Sequence, residues 1–468
     1  MEGKKNLTRR DFLKLTTIVS TSALVAACAP SAPAPAPAAP AKQEPAPKAA
    51  APAAAPVTVR LAAWADVTDK EVYDNIVADY AKINPNVKGV VEQYPGGHYD
   101  KIQANFAAGT PADIIYFQGW SWQPYADKDV LMPVDDLIKR DKVEDLWPNI
   151  LNYKENTIWH EKTYMSVADT GSVIMFYAKE LFDKAGLPYP KPGWTYAEFQ
   201  QMVQKLSRKE GDVQNYGYAQ AGGWNGTYLR SLHWMHMDDK AEWDRRVEPK
   251  KSTWVQDEII NALQFTVVDT IAKGWCPSPA TIQGGGVSIA TGRVAMCMEG
   301  PWTLANMQGP KAAKQGGVAY DVIEPPVGKT GKDETIAEVH GYVVAKATKV
   351  LDAAWELDKY IMTEPGQKRI ADGGRMCGTP ENIEKLWVPI AQKTFNFTNG
   401  KAFADSMRTG MNPLFAGAGA NYDAMAGPGA PLTVAWDAML NGTSAKQAIT
   451  EAQPKLQKIL DDYWAKKG

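Results

Sequence analysis

Glu299, Gly300, Pro301 and Trp302 set a carboxylate, a backbone break and the bulkiest aromatic side chain side by side. The run before them, Val294–Met298, is apolar and suits a buried strand. Gly300 opens unusual backbone angles and Pro301 fixes φ, so Glu299 and Trp302 are delivered to a turn at a strand end. Comparable sets recur along the chain. Trp64 and Asp66 follow the β-rich run that begins at Val57. Gln118, Trp120 and Trp122 follow Ala112–Phe117, and Trp224 and Asn225 sit among Gly222, Gly223 and Gly226. Indole faces cover the C–H patches of a ring such as a sugar, and carboxylates and amides pair with its hydroxyls in directed hydrogen bonds. Taken singly, each of these indoles is more often a packing residue than a ligand platform, and Trp302 could simply fill the space under its own turn.

The elements that would position these groups follow from local pattern. Val57–Trp64 reads as a strand, and Thr68 to Glu71 as a capping box for a helix carrying Val72, Ile76, Tyr80 and Ile83, stopped by Asn84-Pro85. Val87–Tyr94 is the next strand, Tyr99, Ile102 and Phe106 mark a helix closed by Gly109, and Ala112–Phe117 is a third strand. This β-α-β-α-β opening predicts a mostly parallel sheet, whose ligands collect outside strand carboxyl ends. Thr163–Val167 leads through Asp169 into a second apolar run, Val173–Tyr177, and Thr195 with Glu198 caps a later helix. Further strands are expected at Tyr216–Ala219 and Tyr320–Glu324. Helices are expected around Ile259–Ala272, Asp352–Thr363 and Ser444–Trp464.

Three stretches together resemble extracellular solute-binding proteins of family 1, the maltose-binding type of sugar receptor for ABC transporters. They are Gly292–Met307, the run from Ala107 to Trp120 with Asp129–Leu137, and Lys179–Phe199. The resemblance implies an α/β, two-lobe periplasmic-binding-protein type II fold with three interlobe crossings, near 165–172, 320–326 and 385–390, and a ligand cleft between the lobes. Lobe 1 would comprise 57–168 and 324–388, and lobe 2 169–323 and 389–468. In that family the Trp of Gly-Pro-Trp stacks on a sugar ring. The resemblance makes Trp64, Asp66, Gln118, Trp120 and Trp122 first-lobe contacts, and Trp224, Asn225, Glu299 and Trp302 second-lobe contacts. Asp169 would lie on the cleft floor, although it also reads as an ordinary turn carboxylate, and Arg375 would border the cleft. Ala178 departs from the Asn that the family often has after this Tyr, which bears on the identity of the ligand. The implied partners are a carbohydrate or similar small polar solute and ABC permease subunits. No cofactor or metal is implied, and the protein would act as a monomer.

The N-terminus reads as an address. Thr8 to Lys14 matches a twin-arginine export signal, and Leu15–Ala27 is shorter than the roughly 20 apolar residues a membrane span needs. Leu24 to Cys28 resembles a lipobox, with 1–27 a signal peptide and Cys28 the lipidated first residue, anchored to the outer face of the cytoplasmic membrane. The stretch 28–56 is an Ala/Pro-rich tether. The mature chain would carry 46 basic against 51 acidic residues, a net −5, which gives no reason to bind nucleic acid or anionic lipid.

Several chemistries find no pattern. HExxH and GxSxG are missing from the sequence, and His233 with His236 makes only an isolated pair. Cys276, Cys297 and Cys377 allow one disulfide at most. Two other functional classes stay open on sequence alone. One is a surface-anchored carbohydrate-active enzyme using Asp66 and Glu299 as its acid pair; the other is an adhesion lipoprotein without a small ligand.

Overall fold

The computed structural model describes residues 56–64, 67–219, 240–283, 286–307, 318–331, 335–410 and 422–467. The chain divides into Met1–Ala53 and Ala54–Gly468, and the body considered below is the second unit. Cys28 and the tether, Asp66, Trp224, Asn225, His233 and His236 lie outside the described residues.

The first sheet starts as its hydrophobic pattern dictates. Strand β1 (Val57–Ala63) leads into helix α1 (Val67–Ile83), then β2 (Val87–Gln93), helix α2 (His98–Ala107) and β3 (Ile114–Gln118). β1 lies in the middle, parallel to both β2 and β3. Its buried end, Leu61–Ala63, is covered on both faces, as an inner strand of such a sheet requires. Beyond β3 the sheet stops being parallel. The short β4 (Leu131–Met132), then β5 (Asp169–Ser172) and the long β9 (Ala337–Ala345) complete the order β2-β1-β3-β9-β4, with β5 on the other part of β9. β9 runs antiparallel to β3, β4 and β5. The expectation of a mostly parallel sheet therefore holds for β1–β3 only, because β9 enters from another part of the chain and not through a crossover helix.

The second sheet has β6 (Ile174–Ala178) at its centre, flanked antiparallel by β7 (Met296–Glu299) and β8 (Tyr320–Ile323). Only Val173 separates β5 of the first sheet from β6 of the second, so one extended stretch, 169–178, serves both. The chain leaves the second sheet after β8 and re-enters the first at β9.

Packing follows these two sheets. α1 and helix α5 (Leu351–Met362) cover one face of the first, burying Leu61, Tyr73, Ile76, Tyr342, Trp355 and Ile361. The second sheet packs Phe176, Met296 and Met298 into a larger core shared with helix α3 (Tyr196–Leu206) and the C-terminal elements. The capping box at Thr195 forms, with Glu198 accepting from the Thr195 N–H and Thr195 Oγ1 accepting from the Glu198 N–H. The one expected at Thr68 does not sit at a helix start, since α1 already begins at Val67. Tyr216 and Ala219 make single bridges to Val294 and Cys297 in place of a regular strand. Residues 257–272 stay helical with a π-helical middle, Gln264–Asp269, and the terminal helix α7 (Ala445–Lys467) runs past the expected Trp464. No disulfide joins Cys276, Cys297 and Cys377, each of which is buried.

Candidate functional site

Glu299 ends β7 directly opposite Ile174, the first residue of β6. That register brings the turn after β7 to the point where 169–178 passes between sheets. Gly300 stays extended, and Pro301 opens a single 3₁₀ turn that carries Trp302. The indole folds back over its own turn: a Cβ on Gly300 would lie 2.1 Å from the ring, so only glycine admits this placement. Trp302 Nε1 donates to Glu299 Oε2 at 3.0 Å, and the Gly300 N–H reaches the same oxygen at 3.3 Å. The far edge of the ring, Cζ3, lies 3.0 Å from where a Cβ on Gly171 would stand. Held at both ends, Trp302 is nonetheless 41 % exposed. Burial of the Glu299 carboxyl raises its pKa to about 7, against the lowering effect of the two N–H donors.

The first sheet meets this turn with polar groups on an otherwise apolar strand. β9 places Glu338 opposite Gly171 and His340 opposite both Asp169 and Gln118. His340 Nε2 is 3.5 Å from Glu338 Oε2. An aromatic chain continues from there. Trp120 lies edge-on to His340 at 5.7 Å, the Tyr116 ring lies tilted to His340 at 6.2 Å, and Trp64 packs on Tyr116 at 5.9 Å and His98 at 4.8 Å. Trp64, Trp120 and Trp302, far apart in sequence, are thus linked through neighbours on β3, β5 and β9.

The expected contacts divide into two groups. Glu299, Trp302, Trp64 and Gln118 keep part of their surface open, with Gln118 Oε1 accepting from the Tyr99 hydroxyl at 3.0 Å. Trp120 is nearly covered at 5 % exposure. Trp122 departs from expectation: it is wholly enclosed, its Nε1 donates to the Asn156 carbonyl at 2.9 Å, and its ring packs on Tyr164. It has no face to offer a solute in this structure. Asp169 and Arg375 engage each other. Arg375 Nη2 donates to Asp169 Oδ1 at 2.8 Å, Tyr116 donates to the same oxygen at 3.0 Å, and Asp169 is fully buried. With Thr170 Oγ1 donating to the Cys377 carbonyl at 2.6 Å, this pair ties β5 to the loop after helix α6 (Glu364–Asp372).

Sequence reasoning missed Glu338, His340, Tyr116 and Gly171. Two ionisable residues at alternate positions of an otherwise apolar, fully buried strand were the available signal. Among the described residues, no group of three or more His, Cys, Asp or Glu side chains could hold a metal ion. No described helix is long and apolar enough to cross a membrane.

The family of bacterial extracellular solute-binding proteins matches residues 64–368, which take in the second sheet, the first sheet apart from β1, and the Glu299–Trp302 turn. The chain belongs to that family. Membership in an extracellular family implies an exported protein, and its members bind solutes. The solved structures it resembles share the two-lobe periplasmic-binding-protein fold. The sugar-binding protein MalE from Xanthomonas citri superposes with TM-score 0.71 at 20 % identity, over 88 % of this chain and 99 % of that one. The ABC substrate-binding protein Lmo0181 from Listeria monocytogenes, solved with cycloalternan, gives 0.68 at 20 % identity, over 86 % and 99 %. A cyclic α-maltosyl-1,6-maltose binding protein from Arthrobacter globiformis gives 0.67 at 17 %, over 87 % and 100 %. No curated protein sequence matches. For this solute-binding protein, the turn at Trp302 lies beside the stretch 169–178 that passes from one sheet to the other.

Proposed function

We propose that the protein is the substrate-binding lipoprotein of an ABC importer, tethered outside the cytoplasmic membrane through a lipid on Cys28. It captures a carbohydrate or similar polar solute between its lobes and hands it unchanged to a permease. The observation that carries this reading is Trp302, a large indole fixed by Glu299 yet 41 % exposed where the two sheets meet. Exposed indole suits the apolar face of a sugar ring, and the neighbouring carboxylates and Gln118 suit its hydroxyls. Trp64 and Trp120 contribute from the first lobe, and Asp66, Trp224 and Asn225 from loops on either side. Three passages of chain between the lobes, at the boundaries 168/169, 323/324 and 388/389, act as the hinge. A solute drives closure only through contacts that both lobes make together in the closed form.

A thermal-shift screen of the mature protein over a sugar panel, followed by calorimetry, tests the reading, because a ligand bound only by the folded form raises Tm. Trp302→Ala is expected to weaken binding at least tenfold while the protein stays folded; unchanged affinity removes Trp302 from the site. Release of product from an oligosaccharide during the same incubation would make the protein an enzyme and overturn the receptor reading.

A further inference from the structure

We propose that Tyr99 is a positioning residue for solute capture. Its hydroxyl occupies the carbonyl oxygen of the Gln118 side chain, so that the amide meets a solute with its NH2 group and the solute offers an oxygen acceptor there. The inference rests on the receptor reading above, to which it adds a residue and the sense of one hydrogen bond.

Tyr99 lies on the first turn of α2, and Gln118 ends β3. The Tyr99 hydroxyl donates to Gln118 Oε1 at 3.0 Å. Its oxygen accepts in turn from the Gln118 backbone N–H at 3.4 Å and from the Ser121 hydroxyl at 2.9 Å. Each proton in this set is used once, as the donor and acceptor capacities of the groups allow. The ring of Tyr99 is fixed independently of its hydroxyl: it stacks on Phe117 at 5.9 Å and packs against Trp64 at 5.8 Å. Tyr99 therefore lies under two of the proposed first-lobe contacts, holding Trp64 by its ring and Gln118 by its hydroxyl.

Another glutamine shows what a fully engaged amide looks like. Gln367 is 1 % exposed; its Nε2 donates to the Ala168 and Ile361 carbonyls at 2.8 and 3.0 Å, and its Oε1 accepts from the Gly378 N–H at 2.6 Å. Both ends of that side chain serve the fold. Gln118 is only half-buried, and among the described residues its Nε2 makes no hydrogen bond. One end of its amide is spoken for and the other is left with two N–H donors at the carboxyl end of a strand, where ligands of such sheets collect. A loose glutamine loses rotamer freedom when it grips a ligand. Tyr99 imposes that loss in advance, so the amide is ordered before the solute arrives and less affinity is spent on ordering it.

The test is a double-mutant cycle. The mature protein, Tyr99→Phe, Gln118→Ala and the double variant are titrated by calorimetry with glucose, maltose, maltotriose and trehalose. Tyr99→Phe keeps the ring against Trp64 and Phe117 and removes the hydroxyl alone. For a sugar that binds the parent protein, it is expected to weaken affinity about three- to tenfold. In the Gln118→Ala background it is expected to change nothing further, because the hydroxyl acts through that amide. Additive losses overturn the positioning role, as does unaltered affinity in Tyr99→Phe. Gln118→Glu reads the sense of the bond: a carboxylate only accepts, so affinity is expected to fall at least about tenfold. Affinity that holds or rises in this variant means that the solute donates there, and it overturns the acceptor assignment. If Tyr99→Phe fails to fold, Gln118→Glu carries the test. Saturable binding that ignores both Gln118 variants overturns the role and leaves the sugar receptor standing. Absence of saturable binding with every sugar overturns the sugar receptor and the role together.

Discussion

Asp169 and Glu299 are both carboxylates at the passage between the two sheets, and they meet opposite fates. Asp169 is fully buried and answered by the Arg375 guanidinium and the Tyr116 hydroxyl. Glu299 is half-buried and answered only by two N–H groups, which leaves burial to push its pKa up to about 7. The indoles divide the same way: Trp122 is sealed with its N–H given to a backbone carbonyl, whereas Trp302 keeps much of its surface open. A polar group whose needs are met inside the protein is scaffold, and one whose needs are half met is where a ligand can contribute.

That contrast breaks most visibly at the scaffold residues. Trp122→Ala leaves a large void in a close-packed core and should cost about 3–5 kcal/mol of stability. Denaturant unfolding measures this, and a loss under about 1 kcal/mol would return Trp122 to the list of surface-available residues. Arg375→Met strands the Asp169 charge in the interior and should cost about 3 kcal/mol, the low end for broken buried pairs because the Arg375 side chain keeps some contact with water. Ligand affinity measured under conditions where this variant is folded, below its unfolding transition, should stay near that of the parent protein. A large loss of affinity with little loss of stability would move Asp169 and Arg375 from scaffold to site.

Glu299 sharpens the comparison through pH. Its folded pKa is raised to about 7 from the ordinary 4.5, so the folded state holds the proton more tightly than the unfolded chain does. The stabilisation this provides is complete below pH 4.5 and is lost progressively as pH rises to 7. Replacing the carboxyl by an uncharged amide in Glu299→Gln should therefore remove about 1–3 kcal/mol of pH dependence across that window, the partial exposure of the group keeping it below the full linkage value. Parallel stability profiles for the two proteins between pH 4.5 and 7 would show that Glu299 is solvated like any surface carboxylate.

The sequence carried the sheets further than it carried the site. Alternating and helical apolar patterns located β1, β2, β3 and α1 to within a few residues, since each of these elements buries its pattern against the layer it touches. The Gly-Pro-Trp break placed Glu299 and Trp302 at a turn for reasons that are local in the chain. Burial is not local. Nothing in Gln118–Trp122 distinguishes Trp120, lying against His340, from Trp122, sunk beneath helix Leu151–Thr157, because the difference is made by residues more than 30 positions away. The Asp169–Arg375 pair spans 206 positions, and no spacing rule pairs a turn carboxylate with a distant loop arginine. Glu338 and His340 were legible as polar intruders in an apolar strand, but their relation to Trp302 depends on the register between β5 and β9.

The smallest expected effect probes that register. Gly171 has no side chain where the edge of Trp302 lies 3.0 Å from the position a Cβ would take, at the tight limit of non-bonded contact. Its backbone needs no left-handed angle, so Gly171→Ala adds one methyl group without straining the strand. The methyl must push the indole outward by a few tenths of an ångström, and the anchoring bond from Trp302 Nε1 to Glu299 must stretch or turn with it. Stability should change by less than about 1 kcal/mol, because the displaced ring is already partly in water. Ligand affinity should fall about two- to fivefold, since a stacking surface set a fraction of an ångström off loses part of its dispersion contact. Trp302 fluorescence should shift in the ligand-free protein as the indole leaves its seat. An Ala variant with parental affinity and an unshifted spectrum would mean that the ring does not rest on β5 in solution. The two lobes would then meet without Trp302 between them.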